Sequence, residues 1–195
     1  MFKIDWKKEI LTIPNLLSLL RLALIPVYSF IYLNATKNSD YYLAAGILAV
    51  SCLTDLIDGK IARHFHMIST VGKVLDPLAD KLTQFTIILC LTVRYPVLLF
   101  LVALFVVKES FQLIAGGFAL KKGMMLKGAL LAGKICTTVL FISLILLVML
   151  PEIGNTTVIV ITIVDSLFMI ISFVRYIFAY FGKHKMIQDI SNNQE

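Results

Sequence analysis

The sequence predicts an all-α integral membrane protein with six transmembrane helices and a short N-terminal amphipathic helix at the membrane interface. Hydrophobic residues fill 59% of the 195 positions, whereas soluble domains are about 45–50% apolar. The mean hydropathy is +0.90, and apolar stretches long enough to cross a bilayer alternate with short polar connections. These observations indicate a single membrane domain and exclude an ordinary soluble fold.

The chain divides into three predicted regions, and prolines lie in several of the connections between helices. Residues 1–13 form the amphipathic helix, because Phe2, Trp6 and Ile10 alternate with lysines. Residues 14–182 form the membrane domain, and residues 183–195 form a polar tail. The predicted membrane helices are residues 16–33, 41–63, 71–93, 97–120, 128–150 and 156–181.

The basic residues predict the orientation of these helices. In a membrane protein, a net charge of +6 indicates anionic lipid headgroups as partners and not nucleic acid. One side of the membrane has only Lys37 and Arg94, and the other collects Lys3, Lys7, Lys8, Lys121, Lys122, Lys127, Lys183 and Lys185. The lysine-rich side is predicted to be cytoplasmic, together with both termini and the connection between the second and third helices. In a prokaryote this membrane would be the cytoplasmic membrane.

Four aspartates in the second and third helices predict the functional site. Asp55 and Asp58 share a helix face at spacing i, i+3, and Asp76 and Asp80 share one at i, i+4. An ionised aspartate in the centre of a membrane helix costs about 2.5–3.5 kcal/mol. Two antiparallel helices would direct all four carboxylates at one another, and hard cations such as Mg²⁺, Mn²⁺ or Ca²⁺ would offset their repulsion. The alternative is a set of helix caps and headgroup-level charges.

The same stretch resembles the motif of a known family. It reads D-x2-D-G-x2-A-R-x8-G-x3-D-x3-D at Asp55, Asp58, Gly59, Ala62, Arg63, Gly72, Asp76 and Asp80. This pattern is similar to that of the CDP-alcohol phosphatidyltransferases. The resemblance implies that CDP-diacylglycerol donates its phosphatidyl group to a polar alcohol and that CMP is released. It also implies two divalent cations, Mg²⁺ or Mn²⁺, and a homodimer with six membrane helices per chain.

The motif residues receive individual predicted roles. Asp55, Asp58 and Asp76 are predicted metal ligands, and Asp80 is both a ligand and the catalytic base, as the resemblance implies for the last aspartate. The residues predicted to bind the CDP-lipid are Thr54, Asp55, Gly59, Ala62, Arg63 and Gly72. The glycines would admit phosphate close to the backbone, and the arginine would hold a phosphate oxygen. Helix packing is the alternative for the glycines, core packing for Thr54, and a flanking charge for Arg63.

The acceptor alcohol is less well determined by the sequence. A cationic pocket for it is predicted from Lys134, Lys121, Lys122 and Arg21. Glycerol 3-phosphate ranks first as the acceptor, and phosphatidylglycerol, which would make the chain a cardiolipin synthase, is the alternative. The residues Lys108-Glu109 followed by Gly116-Gly117 depart from the pattern of glycerophosphate-using members. A membrane cation carrier that uses the same carboxylates is a more distant alternative.

Charged residues outside the motif are also predicted to lie in the membrane. Arg21 in the first helix requires a cavity or a partner, unless it extends to the interface. Asp165 and Lys134, and the neighbouring pair Lys108 and Glu109, are candidates for functional sites or for structural ion pairs. The sequence leaves the roles of Asp165, Lys108 and Glu109 open.

Overall fold

The computed structural model describes residues 13–64, 72–121, 124–126, 131–181 and 187–189. These residues form six α-helices, a 3₁₀ turn at Pro96–Leu98 and two short strands. The helices are α1 (Ile13–Leu33), α2 (Asn38–His64), α3 (Gly72–Thr92), α4 (Leu99–Lys121), α5 (Leu131–Met149) and α6 (Asn155–Phe181). The strands are β1 (Met124–Leu126) and β2 (Ile187–Asp189). The helical fold class is therefore confirmed, whereas the predicted amphipathic helix lies outside the described residues.

Four segments in the described part of the chain are long and apolar enough to cross a membrane. They are Asn15–Leu33, Pro96–Ala119, Leu131–Met149 and Asn155–Phe181. Large apolar side chains are exposed on these segments, among them Phe30 at 71% and Leu113 at 77%, as lipid contact requires. The chain is thus an integral membrane protein. Helices α2 and α3 carry the aspartates and are not among the four, so their crossing of the membrane stays a prediction.

The described residues form two compact units, of which the first contains those of Met1–Arg94 together with Ile145–Glu152. In this unit, α1 packs against both α2 and α3. Ala44, Ala45 and Leu48 on α2 are buried. At one end of the unit, the rings of Tyr28 and Tyr32 stack at 5.7 Å, and Tyr41 meets Tyr32 edge-on at 5.5 Å. The guanidinium of Arg94 lies 4.9 Å from the ring centre of Tyr41. This unit therefore brings α1 against both helices that carry the motif.

The second unit contains the described residues of Tyr95–Leu144 and Ile153–Glu195. Here α4 packs on α6, with Phe111 edge-on to Phe173 at 5.2 Å. Strands β1 and β2 pair antiparallel, with Met124 opposite Asp189 and Leu126 opposite Ile187. The sequence did not predict this pairing, because three residues are too few to show an alternating pattern.

Candidate active site

Helix α3 supplies the second half of the aspartate motif. Asp76 and Asp80 lie one turn apart on it, with Pro77 between them. Both side chains are partly exposed, and the exposed fraction of the Asp80 side chain is 40%. Because residues at spacing i, i+4 share a helix face, the two carboxylates point to the same side of α3. This placement agrees with the one predicted from the sequence.

Helix α1 donates a hydrogen bond to each of these carboxylates. The Ser18 hydroxyl donates to Oδ1 of Asp76, and Nη1 of Arg21 donates to Oδ1 of Asp80 as an ion pair. Ser18 and Arg21 are almost completely buried. Arg21 therefore has the partner that its position in a membrane helix requires. The structure places Arg21, predicted to bind the acceptor, against the predicted catalytic base.

The first half of the motif lies near the C-terminal end of α2. This helix continues through Asp55, Asp58, Gly59 and Arg63 to His64, so the predicted helical spacing of these residues is confirmed. The structure describes the backbone of residues 55–64 but not their side chains. The convergence of all four carboxylates therefore stays a prediction.

The described residues fit a divalent cation as part of a larger ligand set. Asp76 and Asp80 offer carboxylate oxygens, the donors that Mg²⁺ and Mn²⁺ prefer. Each carboxylate has about four lone-pair positions, so one hydrogen bond from α1 leaves capacity for a metal. Within the described side chains, no group of three or more potential metal ligands comes together. A complete site would therefore require Asp55 and Asp58 as well.

Two other residues that are predicted to bind the nucleotide lie in the described part of the two motif helices. Gly72 is buried at the first position of α3. The Thr54 hydroxyl donates to the Ser51 carbonyl at 2.7 Å. This bond lies within the helix and satisfies the hydroxyl locally, which supports the packing interpretation of Thr54 more than a nucleotide contact.

The predicted acceptor lysines lie in the second unit. Lys134, near the start of α5, and Lys121, at the end of α4, are both exposed, whereas Lys122 lies outside the described residues. Exposed ammonium groups are available to bind the phosphate of a ligand. The roles of Lys121 and Lys134 in binding the acceptor therefore stay a prediction.

The charged residues of uncertain role in this unit have local partners. Lys108 is 2% exposed, and its ammonium donates to Oε1 of Glu109 at 2.6 Å and to Oε1 of Gln112 at 3.1 Å. This arrangement supports a structural ion pair. Asp165 is equally buried, and its Oδ1 accepts a hydrogen bond from the Ser143 hydroxyl at 2.9 Å. Among the described residues, its hydrogen-bond partner is thus a neutral hydroxyl and not the cation of a structural ion pair.

Ser18 is the residue of this site that the sequence interpretation missed. Its position three residues before Arg21 was the available signal, because that spacing places both side chains on one helix face. A serine in a membrane helix is a weaker sign of a tertiary contact than an arginine, since its hydroxyl can donate a hydrogen bond to a backbone carbonyl of its own helix.

Comparison with known proteins now identifies the family. The family model for CDP-alcohol phosphatidyltransferase matches residues 11–180, which include α1 to α6 apart from the last residue of α6. The chain belongs to the CDP-alcohol phosphatidyltransferase family. The matched range contains both halves of the aspartate motif and the two α1 residues that contact it.

Similar proteins in this family include enzymes from bacteria and animals. The chain is 36% identical over 118 residues to a cardiolipin synthase (CMP-forming) from Streptomyces coelicolor, covering 59% of this chain and 54% of that protein. It is 48% identical over 71 residues to the Rattus norvegicus cardiolipin synthase (CMP-forming), covering 36% and 22%. It is 35% identical over 113 residues to a probable cardiolipin synthase (CMP-forming) from Drosophila melanogaster, covering 56% and 33%. The alignments thus span about half of the length of these relatives or less.

Proposed function

We propose that this protein synthesises cardiolipin, by transferring the phosphatidyl group of CDP-diacylglycerol to phosphatidylglycerol and releasing CMP. The observation that carries the proposal is the set of similar proteins named cardiolipin synthase (CMP-forming). They favour phosphatidylglycerol over glycerol 3-phosphate, which the sequence analysis ranked first. Gly116-Gly117 in α4 supports the same change, because this pair departs from the pattern of glycerophosphate-using members.

In this proposal the aspartates perform the chemistry. Asp55, Asp58, Asp76 and Asp80 would hold the divalent cations, which supply neutralising charge at the diphosphate and at the departing CMP. Asp80 takes the proton from the acceptor hydroxyl as the oxygen bonds to the phosphatidyl phosphorus. The bond from that phosphorus to the CMP oxygen breaks, and CMP leaves with the electron pair. Asp80 suits this role because its side chain is 40% exposed and can reach a substrate.

Further residues are proposed to bind the two lipids. Arg63 would hold a phosphate oxygen of the CDP-lipid, and Gly59 and Gly72 would allow the nucleotide close to the backbone. The acceptor phosphatidylglycerol carries a phosphate of its own, for which the exposed Lys121 and Lys134 are the candidate partners. A cytoplasm-facing site and a homodimer belong to the same proposal.

A CMP-release assay tests the proposal. Purified protein in detergent, with CDP-diacylglycerol and Mg²⁺ or Mn²⁺, is offered phosphatidylglycerol, glycerol 3-phosphate, serine or inositol separately. We expect CMP release and cardiolipin formation with phosphatidylglycerol alone. Asp80→Asn should lower the turnover at least ~100-fold if Asp80 is the base, and Asp40→Asn, which changes an aspartate outside the motif, should leave it unchanged.

Other outcomes would redirect the assignment. Release with glycerol 3-phosphate alone would restore the acceptor that the sequence analysis ranked first. If no acceptor supported CMP release although the protein bound Mn²⁺, the cation-carrier alternative would be tested by Mn²⁺ flux into vesicles. Turnover of Asp80→Asn at the wild-type rate would remove Asp80 from its role as base.

A further inference from the structure

We propose that α1 is a working part of the catalytic site, in which Ser18 and Arg21 orient the carboxylates of Asp76 and Asp80 for divalent cations. Ser18 and Arg21 are positioning residues, because they act through the two aspartates. This inference deepens the proposed function and rests on it for the presence of a metal at these aspartates. It adds two residues from outside the aspartate motif to the machinery of the site.

The first support is the register between two helices. Ser18 and Arg21 follow each other by one turn on α1, and Asp76 and Asp80 follow each other by one turn on α3. Ser18 contacts Asp76, and Arg21 contacts Asp80, so the two helices run parallel at this point, and the two contacts lie about 5 Å apart along them. Two successive contacts in one register fix both carboxylates relative to α1.

The second support is the difference in burial across each contact. The donors are deeply buried, with exposed fractions of 0% for Ser18 and 2% for Arg21, whereas 40% of the Asp80 side chain is exposed. Each carboxylate therefore has one oxygen turned toward the protein interior, and Asp80 keeps exposed surface for a ligand. A carboxylate held in this way presents its remaining lone pairs in a fixed direction.

The third support is the energetic requirement of a buried cation. A guanidinium removed from water is stable only when it is paired and hydrogen-bonded. Breaking the ion pair between Arg21 and Asp80 would therefore be energetically costly. The same contact restricts the rotamers of Asp80 before any metal arrives. Hydrogen bonds that orient metal ligands in this way commonly change metal affinity by about 10–100-fold when they are removed.

Mn²⁺ binding without substrates tests the inference directly. Full-length protein in detergent is titrated with Mn²⁺, and the free ion is measured by electron paramagnetic resonance. We expect Ser18→Ala and Arg21→Met to weaken Mn²⁺ binding by about 10–100-fold, and Ser18→Thr, which keeps the hydroxyl, to bind nearly as the wild type does. The matched control is Ser29→Ala on the same helix, whose hydroxyl donates to the Ile25 carbonyl at 2.9 Å.

The variants Ser18→Ala and Ser18→Thr distinguish the orientation of the carboxylates from an effect of net charge on Mn²⁺ binding. A cationic Arg21 could also repel an incoming metal ion, and in that case Arg21→Met would bind Mn²⁺ more tightly. Ser18 is neutral, so an effect of Ser18→Ala on affinity cannot come from the loss of a net charge. Tighter binding in Arg21→Met, or wild-type affinity in Ser18→Ala, would overturn the inference, as would a wild-type protein that does not bind Mn²⁺.

Acceptor-dependent CMP release from the same wild-type preparation separates this inference from the proposed function. If the wild type binds Mn²⁺ and makes cardiolipin while Ser18→Ala binds Mn²⁺ equally well, the inference fails and the proposed function stands. If the wild type binds Mn²⁺ but does not use phosphatidylglycerol, the proposed function fails, and the Mn²⁺ affinities still decide the role of α1.

Discussion

At the scale of single residues, Lys108 and Glu109 form a buried ion pair outside the candidate site. Its side chain is 3% exposed and that of Glu109 is 16% exposed, and their charged atoms are 2.6 Å apart. Removing one partner from such a pair leaves an uncompensated charge, whereas replacing both with apolar residues is often tolerated. The two residues should therefore respond to substitution as a coupled pair.

We predict that Glu109→Leu lowers the free energy of unfolding by about 3–5 kcal/mol. The double variant Lys108→Met/Glu109→Leu should recover most of this loss, because no unpaired ammonium remains. Unfolding in mixed micelles, followed by circular dichroism, measures both values, with Lys37→Met at an exposed position as the control. Additive losses in the double variant would contradict the coupling.

A second prediction at this scale concerns Asp40 in the first turn of α2, ahead of the predicted membrane span. The backbone N–H groups of Thr36 and Lys37 each donate to Oδ2 of Asp40 at 3.0 Å, and they lower the pKa of this carboxyl below its ordinary value. A lowered pKa in the folded protein stabilises the fold at any pH above the pKa of the unfolded chain, and the contribution is lost as the pH falls through the folded-state value.

Asp40→Asn should therefore unfold at a lower temperature than the wild type at pH 7, and the difference should shrink as the pH falls below about 4. Thermal unfolding in detergent between pH 3 and pH 7 provides the comparison. A difference between the two proteins that stays constant over this range would show that the carboxylate does not stabilise the start of α2.

The sequence predicts that a residue has a tertiary partner where a charged side chain lies in an apolar helix. Arg21 in an apolar helix required a partner or a cavity, and the structure supplies Asp80. The identity of that partner was not predictable, because it depends on the register between α1 and α3, which lie more than fifty positions apart in the chain. Ser18 shows the same limit, since nothing local distinguishes it from a serine that bonds to its own helix.

At the scale of helices, two contacts set the register between α5 and α6. Gly133 on α5 meets Tyr176 on α6, and Ser143 donates to Asp165 at 2.9 Å. Gly133 precedes Ser143 on α5, whereas its partner Tyr176 follows Asp165 on α6. The two helices are therefore antiparallel. A Cβ atom on Gly133 would lie 2.6 Å from the Tyr176 hydroxyl oxygen, which no ordinary contact allows.

We predict that Gly133→Ala lowers the free energy of unfolding by about 1–3 kcal/mol, because the tyrosine ring must move. Tyr176→Phe should partly restore stability in the double variant, since the nearest remaining ring carbons lie 3.1 and 3.3 Å from the new methyl group. Gly117→Ala on α4 is the matched control, because a Cβ there meets nothing within 4 Å; it should stabilise by about 0.5–1 kcal/mol.

Equal effects of Gly133→Ala and Gly117→Ala would contradict the close approach of α5 and α6. The comparison uses equilibrium unfolding of the purified variants in mixed micelles.

Most helices were predictable from the sequence because long apolar runs between polar connections leave few alternatives. Each of the six predicted helices overlaps one of α1 to α6, and their ends differ by a few residues. The pairing of β1 with β2 had no comparable signal, since it joins two three-residue segments separated by two membrane helices. Its formation depends on tertiary placement and not on a local pattern.

At the scale of the whole molecule, the predicted topology requires both α2 and α3 to cross the membrane. The predicted topology has six crossings, of which four correspond to apolar segments in the described residues. If both aspartate helices cross, the connection between them lies on the same side as Lys121. If neither crosses, that connection stays on the side of Lys37 and Gly154.

We predict that a cysteine at Ser69, in the connection between α2 and α3, is protected from a membrane-impermeant maleimide in intact cells. Cysteines at Lys37 and Gly154 should be labelled, and a cysteine at Lys121 should be labelled only after permeabilisation. The native residues Cys52, Cys90 and Cys136 would first be replaced by alanine, with CMP release as the check on folding. Labelling of Ser69→Cys from outside would show that the aspartate helices do not both cross.

The pairing of β1 with β2 also has a consequence for biosynthesis. β2 follows all six helices in the sequence, so the ribosome must complete α6 before β1 can find its partner. Chains are made from the N-terminus at about 5–20 residues per second. Several seconds therefore pass between the synthesis of β1 and that of its partner strand β2. β1, at the predicted lysine-rich side of the membrane, is thus among the last parts of the described structure to complete its backbone pairing.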